Sequence, residues 1–256
     1  MRRHLTFACE GSALAGTLDE AAGTSGLLLV SGGNELRSGA WAGQARLAAR
    51  IAAAGFPVFR FDRRGVGDSE GGNGGFRTSA PDLAAALAAF RRECPHLARV
   101  VGLGNCDAAS ALMLAGGAGL DALVLSNPWT IEDEAAPAPP AAIRDHYRRR
   151  LADPAALLRL LSGKVSPARL IASLRDALRK APPPGTLAQD MAAGIAGFPG
   201  EIVFLVADRD RTAQAFLAAW DKPDRRIRRC PDATHSYVEP HARDWLAEQV
   251  LGVLRG

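Results

Sequence analysis

The feature that most constrains this chain is an alternation. Short apolar runs rich in β-formers take turns with longer Ala/Leu segments of helical periodicity. Strands are read at 26–30 (GLLLV), 57–62 (PVFRFD), 100–104 (VVGLG), 123–126 (LVLS) and 202–207 (IVFLVA). Weaker strand signals lie at 13–19 and 227–230. Helical patterns fall between them at 41–54, 82–93, 108–115, 212–220 and 240–254, with Ser79 a candidate N-cap for the second. This rhythm predicts an α/β fold: a mostly parallel sheet with helices on both faces. In such sheets ligand chemistry sits at the carboxyl ends of the strands. The search for function therefore starts there.

One stretch breaks the rhythm. Residues 129–198 hold no clear strand, open with the Pro/Ala segment EDEAAPAPPAA and continue as helical patterns at 143–151, 154–161 and 167–180. The reading is a helical cap inserted between strands of a core formed by 1–128 and 199–256; ordinary crossover helices are the alternative. At 256 residues and 48% hydrophobic, the chain can bury a core without disulfides or metals.

The formal charge of +4 is mild, and no basic stripe is interleaved with aromatics, so nucleic acid is not the expected partner. No apolar run reaches the roughly 18–20 residues of a membrane span, and residues 1–10 lack the core of a secretory signal. A cytoplasmic protein is expected. The cysteines Cys9, Cys94, Cys106 and Cys230 show no metal-ligand spacing, so neither metal nor cofactor is expected.

Cys106 stands apart. It sits in Gly104-Asn105-Cys106-Asp107-Ala108, between an apolar strand and a helix. That pattern fits a nucleophile elbow, where a tight turn needs small flanking residues and lifts the side chain over a helix N-terminus. By itself the pentapeptide is also compatible with a buried structural cysteine. Two partners change the balance. Asp210 follows the 202–207 strand, with Asp208 as its competitor, and His235 follows the last strand. The chain order nucleophile, acid, histidine is that of a catalytic triad at strand ends. Oxyanion donors are assigned to the backbone N–H groups of Asp107 and Gly33, with Asn34 second to Gly33. The Asp107 side chain is expected to point elsewhere. Arg37 and Trp41, beyond that loop, are candidate substrate contacts, as is Trp129; a solvated loop is the plainer reading of Arg37. The loop at 62–71 (DRRGVGDSEG) is read as structural support with internal ion pairs, and a phosphate-binding loop is the alternative.

With these residues in place, the chain resembles the α/β-hydrolase superfamily over nearly its whole length. It is most similar to the hydrolases associated with bacterial exosortase A systems, of the type called hydrolase 1. The resemblance rests on Gly32-Gly33 with Arg37 and Gly39, FDRRGVGDSEG at 61–71, Cys106-Asp107 with Ser110-Ala111, Asn127-Pro128-Trp129, Asp210-Arg211-Thr212-Ala213 and the His235 loop. It departs from the pattern at Ala108, where the elbow's second glycine is common, and at Ala207-Asp208. The resemblance implies an α/β-hydrolase fold and a hydrolase linked to exopolysaccharide and protein-sorting loci. Together the residues and the resemblance lead to the expectation of a Cys106–His235–Asp210 enzyme acting on a small-molecule ester or thioester. Acyl transfer to a sugar hydroxyl and a non-catalytic binding module are the other readings.

Overall fold

The computed structural model describes residues 1–132, 186–220 and 223–256. Its centre is an eight-stranded sheet in the order β1-β2-β4-β3-β5-β6-β7-β8. The strands are β1 (Arg2–Cys9), β2 (Ser12–Asp19), β3 (Ser25–Val30), β4 (Val58–Phe61), β5 (Arg99–Asn105), β6 (Ala122–Ser126), β7 (Glu201–Ala207) and β8 (Ile227–Cys230). From β4 to β8 neighbouring strands run parallel, whereas β1 and β2 are antiparallel additions at one edge. The central strands are buried on both faces, which is why they read as continuous apolar runs rather than alternations.

The helices are α1 (Gly43–Ala53), α2 (Ala80–Glu93), α3 (Asp107–Leu114), α4 (Thr186–Ile195), α5 (Arg211–Ala219) and α6 (Pro240–Arg255). They divide the core in two. Leu28, Val30, Phe59 and Phe61 face α2, α3 and α4, while Leu27, Leu29, Val101 and Leu103 face α1 and α6. Alternate residues of one strand thus feed opposite layers.

Several expectations are refined. β1 was not anticipated. The helix expected from Trp41 begins at Gly43, because Trp41 and Ala42 hold φ values of 48° and 59°. Ser79 does precede α2, but its hydroxyl makes no cap bond to the helix; it accepts from Arg63 and donates to the Gly75 carbonyl. Within the 129–198 stretch, α4 buries Leu187, Met191 and Ile195 in the same core cluster as α3. Gly194 permits this approach, since a Cβ there would lie 2.2 Å from the Met113 carbonyl oxygen. The helical patterns at 143–151, 154–161 and 167–180 lie outside the described residues.

Candidate active site

The elbow follows from local sterics. β5 ends in Gly104-Asn105, and α3 starts at Asp107, doubling back over the strand. A Cβ on Gly104 would sit 2.6 Å from the Ala108 carbonyl carbon, so only glycine allows the return. Cys106 between them holds φ 62° and ψ −129°, a conformation unusual for a residue with a side chain. Backbone bonds over-determine it. Its N–H donates to the Ser126 carbonyl at 2.9 Å, and its carbonyl accepts from the Trp129 N–H at 3.3 Å. Trp129 is also tied by its N–H to Ser110 Oγ and by its indole N–H to the Ile131 carbonyl. Its backbone therefore props the elbow from the side of the following strand. Of the four cysteines Cys106 alone is not buried.

Asp210 and His235 meet beside it. His235 Nδ1 lies 2.8 Å from Asp210 Oδ2. Asp210 is 6% exposed and is the N-cap of α5, accepting from the Thr212 and Ala213 N–H groups. Those two donors fix the orientation of the carboxyl group toward His235. Asp208, the competitor, instead takes the Arg229 guanidinium at 2.8 Å. The hydrogen bond to Asp210, with the neighbouring Cys106 adding to it, pushes the His235 imidazole up to about 10. The ring's other nitrogen, Nε2, has Asn105 Nδ2 at 3.4 Å.

Two residues of this network were not singled out for a role from sequence. Asn105 reaches both the His235 ring and its carbonyl. Asn127, fully buried with φ 43°, donates to Asn105 Oδ1 and to the His235 carbonyl, and accepts from the Ala207 N–H. It joins the elbow, the β7 terminus and the His235 loop. The available signal was a polar residue closing each of two apolar strands.

The expected oxyanion loop is arranged differently from the sequence reading. The Asp107 side chain turns from the triad, as expected, but into this loop. Its Oδ1 accepts the Gly33 N–H at 2.5 Å, so that donor is already engaged. Arg63, 4% exposed, holds the arrangement through Asp107 Oδ2, the Gly33 carbonyl and Ser79 Oγ. The Asp107 N–H is in the first turn of α3, where no intrahelical acceptor exists. Asn34 Oδ1 accepts from Asn73.

Arg37 is neither a solvated loop residue nor directed at an open site. Its guanidinium bonds Asp62, Asp68 and Thr17, and its backbone N–H takes the other oxygen of Asp62. Asp62, fully buried, is the hub of the 62–71 loop, which the sequence reading cast as support. Trp41 lies beyond the His235 loop, donating its indole N–H to the Ser236 carbonyl at 3.3 Å.

Among the described residues no three His, Cys, Asp or Glu side chains gather as a metal site. Among the same residues no helix is long and apolar enough to cross a membrane.

No curated protein matches the chain. Similar solved structures include the α/β hydrolase GrgF from Penicillium sp. sh18, with a TM-score of 0.67 and 16% identity, covering 100% of this chain and 98% of that one. A Pyrococcus furiosus esterase has a TM-score of 0.62 and 13% identity, with 100% and 90% covered. A Xanthomonas campestris serine hydrolase described as lacking a lid has a TM-score of 0.60 and 13% identity, with 99% and 94% covered. At these identities the likeness is one of fold. The family model for the alpha/beta hydrolase family matches residues 27–249, which hold the parallel part of the sheet from within β3 to β8 and every site residue above, and the chain belongs to that family.

Proposed function

We propose that this protein hydrolyses carboxylic ester or thioester bonds with Cys106 as nucleophile, His235 as acid and base, and Asp210 as the group that orients His235. The observation that carries this reading is the Asp210–His235 hydrogen bond, at 2.8 Å, formed beside a Cys106 held at a positive-φ elbow.

The chemistry follows from the contacts. The Cys106 thiol gives its proton to His235, and the thiolate attacks the acyl carbon. The carbonyl π electrons move to oxygen, forming a tetrahedral oxyanion that takes the Asp107 N–H and, once the Asp107 carboxylate gives it up, the Gly33 N–H. Collapse expels the alkoxide or thiolate, which takes the proton from His235. This leaves an acyl thioester on Cys106. Water then loses a proton to His235 and attacks, and Cys106 leaves as thiolate. Asp210 holds the ring by Nδ1 and stabilises its cationic form throughout. Because sulfur is a good leaving group, activated esters, thioesters and lactones suit this site better than amides.

The sequence resemblance carries a further part of the proposal: the substrate belongs to exopolysaccharide or exosortase-linked chemistry. The test is a panel of aryl esters and acyl thioesters, with quenched reactions examined by intact mass. Turnover, with an acyl adduct mapping to Cys106 and both lost in Cys106→Ala, supports the reading. Turnover that survives Cys106→Ala contradicts it.

A further inference from the structure

A cavity of about 320 Å³ lies between β3, β5 and helices α1 and α6, on the face of the sheet that those two helices cover. Neither Cys106, His235 nor Asp210 lines it. Asn105, Ser236 and Tyr237 form the partition between it and the catalytic loop. The volume falls at the lower end of small-molecule sites, roughly 300–1,000 Å³.

Its interior is aliphatic: Leu29 and Leu103 from the sheet, Leu47 from α1 and Leu246 from α6. Two hydroxyls on its wall satisfy each other, since Ser126 Oγ and Tyr237 Oη lie 2.9 Å apart. A hydrocarbon chain can therefore pass these two without orphaning them.

The mouth is different. Trp41 stands there in a left-handed conformation, and its ring lies under two guanidinium groups, Arg46 at 5.0 Å and Arg243 at 5.6 Å. Both arginines are exposed, and neither pairs with a carboxylate among the described residues. The third arginine in the wall, Arg50, is already matched by Asp244 and Glu248. That leaves Arg46 and Arg243 against Glu35, so the wall carries a net positive charge.

We propose that this cavity binds an amphiphilic anion: a compact aliphatic chain seated among the leucines, with a carboxylate or phosphate head at Arg46 and Arg243. A guanidinium already stacked on an indole is pre-organised to meet an oxyanion. The proposal is independent of the catalytic reading, because none of its residues takes part in acyl transfer.

The test is isothermal titration of the full chain, below the micellar concentration, with decanoate and decyl phosphate as probes. Decanol and decyltrimethylammonium serve as the neutral and cationic comparators. The expected result is one-to-one binding of at least one anion, roughly tenfold or more tighter than decanol, as charge-assisted hydrogen bonds imply. The tighter anion identifies the head group. In Arg46→Ala/Arg243→Ala, two exposed positions that leave the core intact, this preference over decanol disappears. Leu246→Trp fills the cavity and abolishes binding, and Cys106→Ala binds as the unaltered protein does. Equal affinity for decanol and both anions, an unchanged preference in the arginine variant, or adsorption of several molecules per chain overturns the proposal.

Discussion

The Gly33 backbone N–H donates to the Asp107 carboxylate at 2.5 Å, so a residue directly after the elbow cysteine occupies a donor that an acyl oxyanion would use. The contact is held from behind by Arg63, which bonds both residues. Removing the carboxylate in Asp107→Ala frees the Gly33 N–H and keeps the backbone N–H of residue 107. A single oxyanion donor is worth about 3 kcal/mol, so kcat/KM for neutral esters should rise by roughly a hundredfold. Arg63 keeps Ser79 and the Gly33 carbonyl but loses its carboxylate, and breaking this buried pair costs the fold about 3–5 kcal/mol. Steady-state kinetics with chemical denaturation separates the two effects. A fall in kcat/KM at unchanged stability would show that the carboxylate itself assists the reaction.

Asp210 serves His235 and α5 at once, and Asp210→Asn separates the duties. Asparagine is as good an N-cap as aspartate, so α5 should be retained. The imidazole loses its anionic partner, and its titration should fall from about 10 toward the ordinary 6.5. Esterase turnover should drop by roughly 10²–10⁴. Histidine chemical shifts followed against pH, beside kcat, test both halves. An unshifted His235 would rule out Asp210 as its controlling partner.

The raised His235 also sets a stability window. Its folded value of about 10 lies above its unfolded value near 6.5, so protonation favours the folded state. That contribution is complete below pH 6.5 and is lost as pH rises toward 10. Urea midpoints of the unaltered protein should therefore fall between pH 6.5 and 10 more steeply than those of His235→Gln. Parallel declines would refute the linkage.

Arg37 tests the difference between a substrate contact and a support. It is the cationic partner of the fully buried Asp62. Arg37→Ala strands that carboxylate, and breaking a buried pair costs about 3–5 kcal/mol. The expected result is a lower melting temperature with little change in KM for what remains folded. A KM increase at full stability would return Arg37 to the binding site.

The parts of the molecule legible in the sequence are those set by local periodicity. Leu27–Val30 and Val203–Val206 are apolar without a break because both faces are buried. Gly104 and Ala108 are small because the chain doubles back there. β1 was missed because its first residues, Arg2-Arg3-His4, belong to a half-exposed edge, where apolar signal is weakest. The start of α1 was misplaced because Trp41 continues the apolar pattern for a tertiary reason, its packing at a cavity mouth. The Asp107–Gly33 and Arg37–Asp62 contacts join residues 74 and 25 positions apart. Nothing local distinguishes such a charge from a solvated one.

In the proposed mechanism His235 activates Cys106, and alkylation reads that activation. The rate of iodoacetamide labelling at pH 7 is followed in a chain with Cys9, Cys94 and Cys230 replaced, with and without His235→Ala. A free thiol is only a few per cent thiolate at pH 7, so a Cys106–His235 ion pair should label roughly tenfold or more faster than free cysteine. That advantage should vanish in His235→Ala. A slow Cys106 whose rate ignores His235 would contradict the account.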